Sequence, residues 1–299
     1  MLKHTKISFP GLFPNLEMDV NSVAFTLFGH DFPWYALILT SAIIFCFIYV
    51  TLRAKRFGII PDTVLDIGLV TVVCGILGAR IYYVATSWSS YKNNFWDVFK
   101  IWEGGIAIYG ALIGGGLAVL FMCRRKKISF RLFGDCVAPS LLMAQAIGRW
   151  GNFFNAEAHG SETDNFLRMG LQRAWESAPT YYHPTFLYES LWNTLGFCIA
   201  TYLYKKHRRY DGFMILFVFA WYGFGRMFIE LLRTDSLYIS SHHAWYTKIS
   251  VLVGFGFFVG CTAAMITIGV RMKRGATYPL TLPQEKPQEQ EQVQHSEEE

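Results

Sequence analysis

Apolar residues run in long, nearly unbroken stretches along this chain, separated by short segments in which lysine and arginine gather. A helix needs about 20 apolar residues to cross about 30 Å of hydrocarbon. Seven segments meet that length: residues 34–52, 62–86, 104–123, 131–150, 184–204, 212–232 and 245–270. The second, fourth and sixth carry ionisable residues within the apolar run. The pattern predicts an all-α polytopic membrane protein with seven transmembrane helices. The connection over 151–183 is too long for an ordinary loop and is expected to be a functional element. From residue 276 the chain is rich in Gln, Glu and Pro, which predicts a disordered acidic tail over 276–299 and a membrane domain over 1–275. No internal repeat is visible, and the N-terminal segment lacks the basic-then-apolar pattern of a removable signal peptide.

Charge orients the spans. The connections after spans one, three, five and seven carry fifteen Lys and Arg, and the other side carries seven. The richer side is expected to be cytoplasmic, which places the N-terminus outside, the C-terminus inside and the 151–183 connection outside. Composition agrees with a membrane location: of 299 residues 53% are hydrophobic and only 16% charged, against about 25% charge in soluble domains, and the mean hydropathy is +0.27. The net charge of +5 is therefore topology rather than a nucleic-acid footprint. The six cysteines (46, 74, 123, 136, 198 and 261) lie in or beside apolar runs without a CxxC pair, as packing residues would. The eight histidines lack metal-ligand spacing, and no nucleotide-binding or GxSxG motif occurs, so neither a metal nor a cofactor is expected.

The candidate chemistry lies at the predicted outer ends of the spans. Arg80, Arg149, Arg226 and Arg233 all fall there. Snorkelling accounts for Arg80 or Arg233, but Arg149 and Arg226 are set in Gly- and aromatic-rich stretches, where an ionisable residue points to a functional site. Arg226, Glu230 and Arg233 share one helical face at i, i+4 and i+7, so Glu230 can pair with both arginines. Converging guanidiniums suit a phosphate, which they grip with two prongs, and a phospholipid headgroup is the abundant anion at that depth. The glycine-rich run from Gly104 to Gly116 has two readings: close helix packing through small residues, or backbone approach to a ligand faced by Tyr109. The densest segment, from Gly148 to Gly160, combines Arg149, Asn152, Asn155, Glu157 and three glycines.

That segment resembles the signature of the bacterial prolipoprotein diacylglyceryl transferases, G-R-x-G-N-F-x-N-x-E-x-x-G, at every fixed position. Pro33-Trp34-Tyr35, Gly78-Ala79-Arg80 with Tyr83, Trp102-Glu103-Gly104-Gly105 through Gly110, His183-Pro184 with Leu187-Tyr188-Glu189, and Arg226 with Glu230 and Arg233 resemble further family elements in order and spacing. The resemblance covers about residues 30–260. It implies transfer of the diacylglyceryl group of phosphatidylglycerol to the lipobox cysteine of a prolipoprotein signal peptide, with release of glycerol phosphate. It also implies a multi-pass protein of the bacterial cytoplasmic membrane, working within the lipid bilayer with its site at the outer leaflet.

On this footing Arg149, Arg226 and Tyr109 are the expected catalytic residues, and Arg149, Asn152, Asn155, Glu157, Gly160, Tyr35 and Arg80 the substrate-binding ones. Glu230, Arg233, Tyr188 and Glu189 are expected to support them. Some relatives carry histidine where this chain has Tyr109, and tyrosine with a pKa near 10 is a poor base. The arginines are then expected to lower the pKa of the attacking thiol, with His159 a lesser candidate for the base. The rival readings are an organic-anion transporter and a noncatalytic phospholipid-binding protein.

Overall fold

The computed structural model describes residues 4–92, 95–101, 104–238 and 245–283. Among these, seven long helices follow the predicted order: α1 (Trp34–Ala54), α2 (Pro61–Thr86), α3 (Ile108–Arg125), α4 (Phe130–Phe154), α5 (Thr185–Lys206), α6 (Phe213–Leu232) and α7 (Ile249–Lys273). Five of the described helices, α1, α2, α3, α6 and α7, are long and apolar enough to cross a membrane. The protein is thus a largely helical, polytopic membrane protein. The other two, α4 and α5, are diluted by polar groups, among them Asp135, Gln145, Arg149, Glu189 and Asn193.

The expectation of an all-α chain is corrected by six strands. Strands β1 (His4–Phe9), β2 (Phe13–Asn21), β5 (Met169–Arg173) and β6 (Thr180–Tyr182) form a sheet of order β2-β1-β5-β6, and β3 (Val23–Leu27) pairs with β4 (His30–Pro33). The larger sheet buries one side: Thr5 and Ile7, two apart on β1, point inward with Val20, Met169 and Leu171, and Phe153 and Phe186 join them from α4 and α5. Alternation of period two makes β1 a half-buried strand. The connection over 151–183 thus supplies two strands to a sheet begun at the N-terminus.

Span boundaries shift for local reasons. Helix α3 starts at Ile108 rather than 104 because Gly104 and Gly105 hold φ of +93° and +74°, outside the helical region. Helix α4 continues to Phe154, so Asn152 lies on its last turn instead of in a loop. The beginning of the tail is held: the Asp211 amide donates to the Pro279 carbonyl at 2.8 Å, and the Tyr210 and Tyr278 rings lie 6.1 Å apart. The rest of the predicted tail, 284–299, falls outside the described residues, as do Trp102, Glu103 and 239–244.

The chain divides into two compact units, Met1–Cys46 with Val137–Leu280, and Phe47–Cys136 with Thr281–Glu299. In the second, α2 and α3 pack through glycine. A Cβ on Gly78 would overlap the Gly110 carbonyl, and one on Gly114 the Cys74 carbonyl. Of the two readings of the glycine-rich run, this part of it serves helix packing. In the first unit, α5 and α6 are joined by stacked indoles. The Trp192 and Trp221 rings are 4.2 Å apart, and each ring N–H donates to the other residue's carbonyl, at 3.2 and 3.1 Å. Gly196 and Gly225 leave room for those rings.

Candidate active site

The first unit gathers most of the predicted residues into one chain of polar contacts. It is anchored on α4 and α5, which Ser190 joins by donating to the Ala146 carbonyl at 3.0 Å and Asn193 by donating to Gln145 at 3.3 Å. Those bonds and the indole pair fix Glu189, which is only 3% exposed, between two arginines. Arg149 Nη2 donates to Glu189 Oε1 at 2.5 Å, and Arg226 Nη1 donates to Oε2 at 3.2 Å. One carboxylate, one oxygen to each arginine, sets the spacing of both guanidiniums.

The contacts extend both ways. Arg149 Nη1 donates to the Asn152 side-chain oxygen at 3.2 Å, and the amides of Asn152 and Asn155 both donate to Glu157 Oε1, at 3.1 and 3.0 Å. Spacing puts Arg149 and Asn152 on one face of the last turn of α4. On the other side, Glu230 Oε2 lies 2.6 Å from Arg226 Nη2 and 4.0 Å from Arg233 Nε. Sharing of Glu230 by both arginines is therefore lopsided. Arg233 turns instead to Asp235, donating from Nε at 2.9 Å and Nη2 at 2.6 Å. Burial pushes the Asp235 carboxyl up, but the Arg233 bond and charge outweigh it and hold its pKa below the usual aspartate value. Burial likewise lowers the pKa of Arg233, and the same pairing more than reverses it. The buried Lys248 ammonium closes this end, donating to the Glu230 and Arg233 carbonyls at 2.8 Å each.

The whole arrangement sets three guanidiniums and the Lys248 ammonium against four carboxylates, an even balance of charge. An anion would be held here by oriented N–H donors more than by net charge. Donors are available: among the described residues, Arg149 Nε and one hydrogen on each of its Nη atoms are not engaged. An apolar cavity of about 340 Å³, lined by Ile38, Met143, Ile147, Trp150, Phe154 and Thr194, adjoins the stretch of α4 that carries Arg149.

Other predicted residues are placed differently. Tyr35 rests its ring on the backbone of Gly151, where a Cβ would come within 2.7 Å of it. Gly160 is buried where three segments meet: its amide donates to the His183 carbonyl at 2.9 Å, it bridges to Arg233, and a Cβ would come within 2.7 Å of His183. The close approach this glycine permits is to the chain itself. Tyr188 reaches His183, 3.4 Å from its hydroxyl, and the His159 ring lies tilted against that of Tyr182 with centroids 4.1 Å apart.

Arg80 and Tyr109 belong to the second unit. Tyr109 sits in the first turn of α3, its ring 6.3 Å from that of Tyr82. Arg80 is 6% exposed and caged by backbone. Its Nε donates to Val98 at 2.8 Å, Nη1 to Gly104 and Gly105 at 2.6 and 2.8 Å, and Nη2 to Asp97 and Lys100 at 2.6 and 3.3 Å. A guanidinium has five N–H donors, and all five end on carbonyls. The first two glycines of the run approach this arginine.

Sequence reasoning gave Glu189 a supporting part and missed Asp235 and Lys248. The one carboxylate within the predicted fifth span was the available signal for Glu189; the other two pair through tertiary contacts that no spacing reveals.

The model of the prolipoprotein diacylglyceryl transferase family matches residues 22–267. The chain belongs to this family. Among its relatives, the phosphatidylglycerol–prolipoprotein diacylglyceryl transferase of Enterococcus faecalis is 44% identical over 85% of this chain and 92% of that protein. Those of Pediococcus pentosaceus and Streptococcus pneumoniae are 41% and 44% identical, over 80% and 76% of this chain and 90% and 87% of theirs. Neither the transporter nor the scaffold reading draws support from these relatives.

Proposed function

We infer that this protein transfers the diacylglyceryl group of phosphatidylglycerol to a prolipoprotein, the activity its relatives are named for, and that the acceptor is the thiol of the lipobox cysteine. The observation that carries the reading on the structural side is the bridging of Arg149 and Arg226 by Glu189. In the reaction the thiolate sulfur forms a bond to the terminal glycerol carbon as the bond from that carbon to the phosphate oxygen breaks. The electron pair leaves on the oxygen, glycerol phosphate departs, and the thiol proton ends on the phosphate or in solvent. The leaving phosphate gains charge, so donors already held in place stabilise the transition state at no reorganisation cost.

Arg149 and Arg226 are the phosphate-gripping residues in this scheme, with their remaining N–H groups on the phosphate oxygens. Asn152, Asn155 and Glu157 orient the glycerol headgroup or the acceptor backbone. The apolar cavity beside α4 has the lining an acyl chain requires. The thiol needs no dedicated base in this scheme, because the arginines depress its pKa from about 8.5. Glu230, Arg233 and Asp235 keep Arg226 from turning away, and Arg80 holds the backbone carbonyls of Asp97, Val98, Lys100, Gly104 and Gly105 together.

The seven helices each cross the cytoplasmic membrane in this scheme, with the N-terminus and the sheet outside, supported by the fifteen-to-seven bias in Lys and Arg. The reacting groups then face the outer leaflet, where secreted prolipoproteins emerge. The test is direct: purified protein with phosphatidylglycerol and a peptide bearing a lipobox cysteine, read by mass spectrometry. Wild type is expected to form the diacylglyceryl thioether, and folded Arg149→Ala and Arg226→Ala to lose it. Absence of the adduct from folded wild type would overturn the assignment.

A further inference from the structure

The hairpin β3–β4 stands out because, among the described residues, its apolar side chains stay largely uncovered. In its register Phe25 faces Phe32, Thr26 faces Asp31 and Leu27 faces His30. Alternation therefore puts Phe25, Leu27 and Phe32 on one side, with His30 at its edge beside the turn, and Thr26 with Asp31 on the other. The polar side is satisfied internally, Thr26 donating to Asp31 at 2.7 Å. On the apolar side Phe25 and Phe32 stack at 4.9 Å, yet Phe25, Leu27 and Phe32 all remain exposed. A two-stranded hairpin with an apolar face open to water is marginal.

The turn sharpens the point. Phe28 and Gly29 form a two-residue loop with φ of +50° and +77°. Such a turn wants Asn-Gly or Gly-Gly, because both central residues are left-handed. A phenylalanine there is a strained choice, and the residue is 93% exposed. In water it would gain nothing for that cost.

The hairpin also continues into an apolar helix. Pro33 ends β4 and Trp34 begins α1, and the Trp34 amide returns to the Ser22 carbonyl at 3.0 Å, tying the base of the hairpin to the start of the helix. Trp34 and Tyr35 are half-exposed there, as aromatic residues are at a membrane–water boundary. The Trp34 ring stacks on Phe154, the last residue of α4, at 5.0 Å.

We propose that the β3–β4 hairpin lies in the lipid interface at the N-terminal end of α1, with Phe28 at its tip and the Phe25–Leu27–Phe32 face in lipid, acting as a depth stop for that helix end. The lipid covers the open face and makes the strained turn worthwhile. Through Trp34 and Phe154 the stop also sets the depth of the last turn of α4, which carries Arg149 and Asn152, at the level of the headgroups.

The inference rests on α1 being a membrane span, and the experiment separates the two. The photoreactive amino acid p-benzoylphenylalanine replaces Phe28, or Ile44 in mid-α1, in the full chain, reconstituted in phosphatidylglycerol–phosphatidylethanolamine vesicles. Digested peptides are then searched for lipid adducts. Adducts at both positions are expected. An adduct at 44 without one at 28 overturns the hairpin proposal, as does cross-linking of position 28 to an added lipobox peptide in place of lipid. No adduct at 44 overturns the span itself and the proposal with it. A second measurement uses nitroxides on single cysteines at 25, 26, 27, 28 and 31 in a cysteine-free, transfer-active background. Relaxation is expected to be dominated by oxygen at 25, 27 and 28 and by a water-soluble nickel chelate at 26 and 31. Nickel dominance at 27 and 28 overturns the proposal.

Discussion

Arg80 and Arg149 are both arginines near the end of a long helix, both in glycine-bearing stretches, and the chain uses them in opposite ways. Five backbone carbonyls take every donor Arg80 has. Arg149 shares the Glu189 carboxylate with Arg226 and spends one further donor on Asn152. A cage of carbonyls uses up an arginine's capacity to bind, and what it secures is the fold of the loop around it. A shared carboxylate offsets the charge but leaves donors unspent, aimed by a buried acid that cannot move. The second arrangement is the one suited to receiving a ligand.

Lysine substitution separates these two uses most sharply, since it keeps the charge and removes the planar fork. Arg149→Lys and Arg226→Lys should each lower the transfer rate by about 100-fold or more, the scale of losing one preorganised donor to a developing anion. Their melting temperatures in detergent should move little, because lysine still pairs with Glu189. Arg80→Lys should behave the other way round. Carbonyls left without a donor cost about 1–3 kcal/mol each, so melting falls while the rate per folded molecule stays close to wild type. A stable but inactive Arg80→Lys would erase the contrast and make Arg80 a substrate ligand.

Two smaller effects refine it. Gly105 holds φ of +74°, and a Cβ there would sit 2.7 Å from Arg80 Nη1. Gly105→Ala should therefore cost about 1–2 kcal/mol from the left-handed backbone alone, seen as lower melting with unchanged rate per folded molecule. The smallest effect concerns acid. Arg233 holds Asp235 below its ordinary pKa, so the pair's stabilisation is present above about pH 4, the unfolded value. It is lost as pH falls through the folded value. With Asp235 half-exposed, screening leaves under about 1 kcal/mol. Denaturation profiles from pH 6 down to 3 should show a shallower acid limb for Asp235→Asn than for wild type.

Most of the helical plan was legible because membrane spans announce themselves locally: twenty apolar residues in a row are visible without knowing any partner. The Gly148–Gly160 segment was legible for a similar reason, its amides, acid and arginine lying within nine consecutive residues. The sheet was not. His4–Phe9 does alternate, but the strand it needs, Met169–Arg173, lies far along the chain, and pairing over such a distance leaves no periodic trace. The two uses of arginine were equally hidden. Arg80 and Arg149 look alike in sequence, and the carbonyls that enclose one and the carboxylate that aims the other come from segments brought together only by folding. The left-handed φ of Gly104 and Gly105, which moved the start of α3, was present as two adjacent glycines without a stated purpose until Arg80 supplied it.

The paired indoles of Trp192 and Trp221 have a consequence for how this site can change over time. Each ring bonds the other residue's carbonyl, and each needs a glycine opposite, Gly196 or Gly225, to make room. Four positions thus stand or fall as a set, and replacing one tryptophan strands its partner's donor inside a slot cut for two rings. Since Glu189 and Arg226 ride on the same two helices, their separation is guarded by a toll on every single-step route away from it. The spacing of the arginines can drift only if several residues at a distance from them change together.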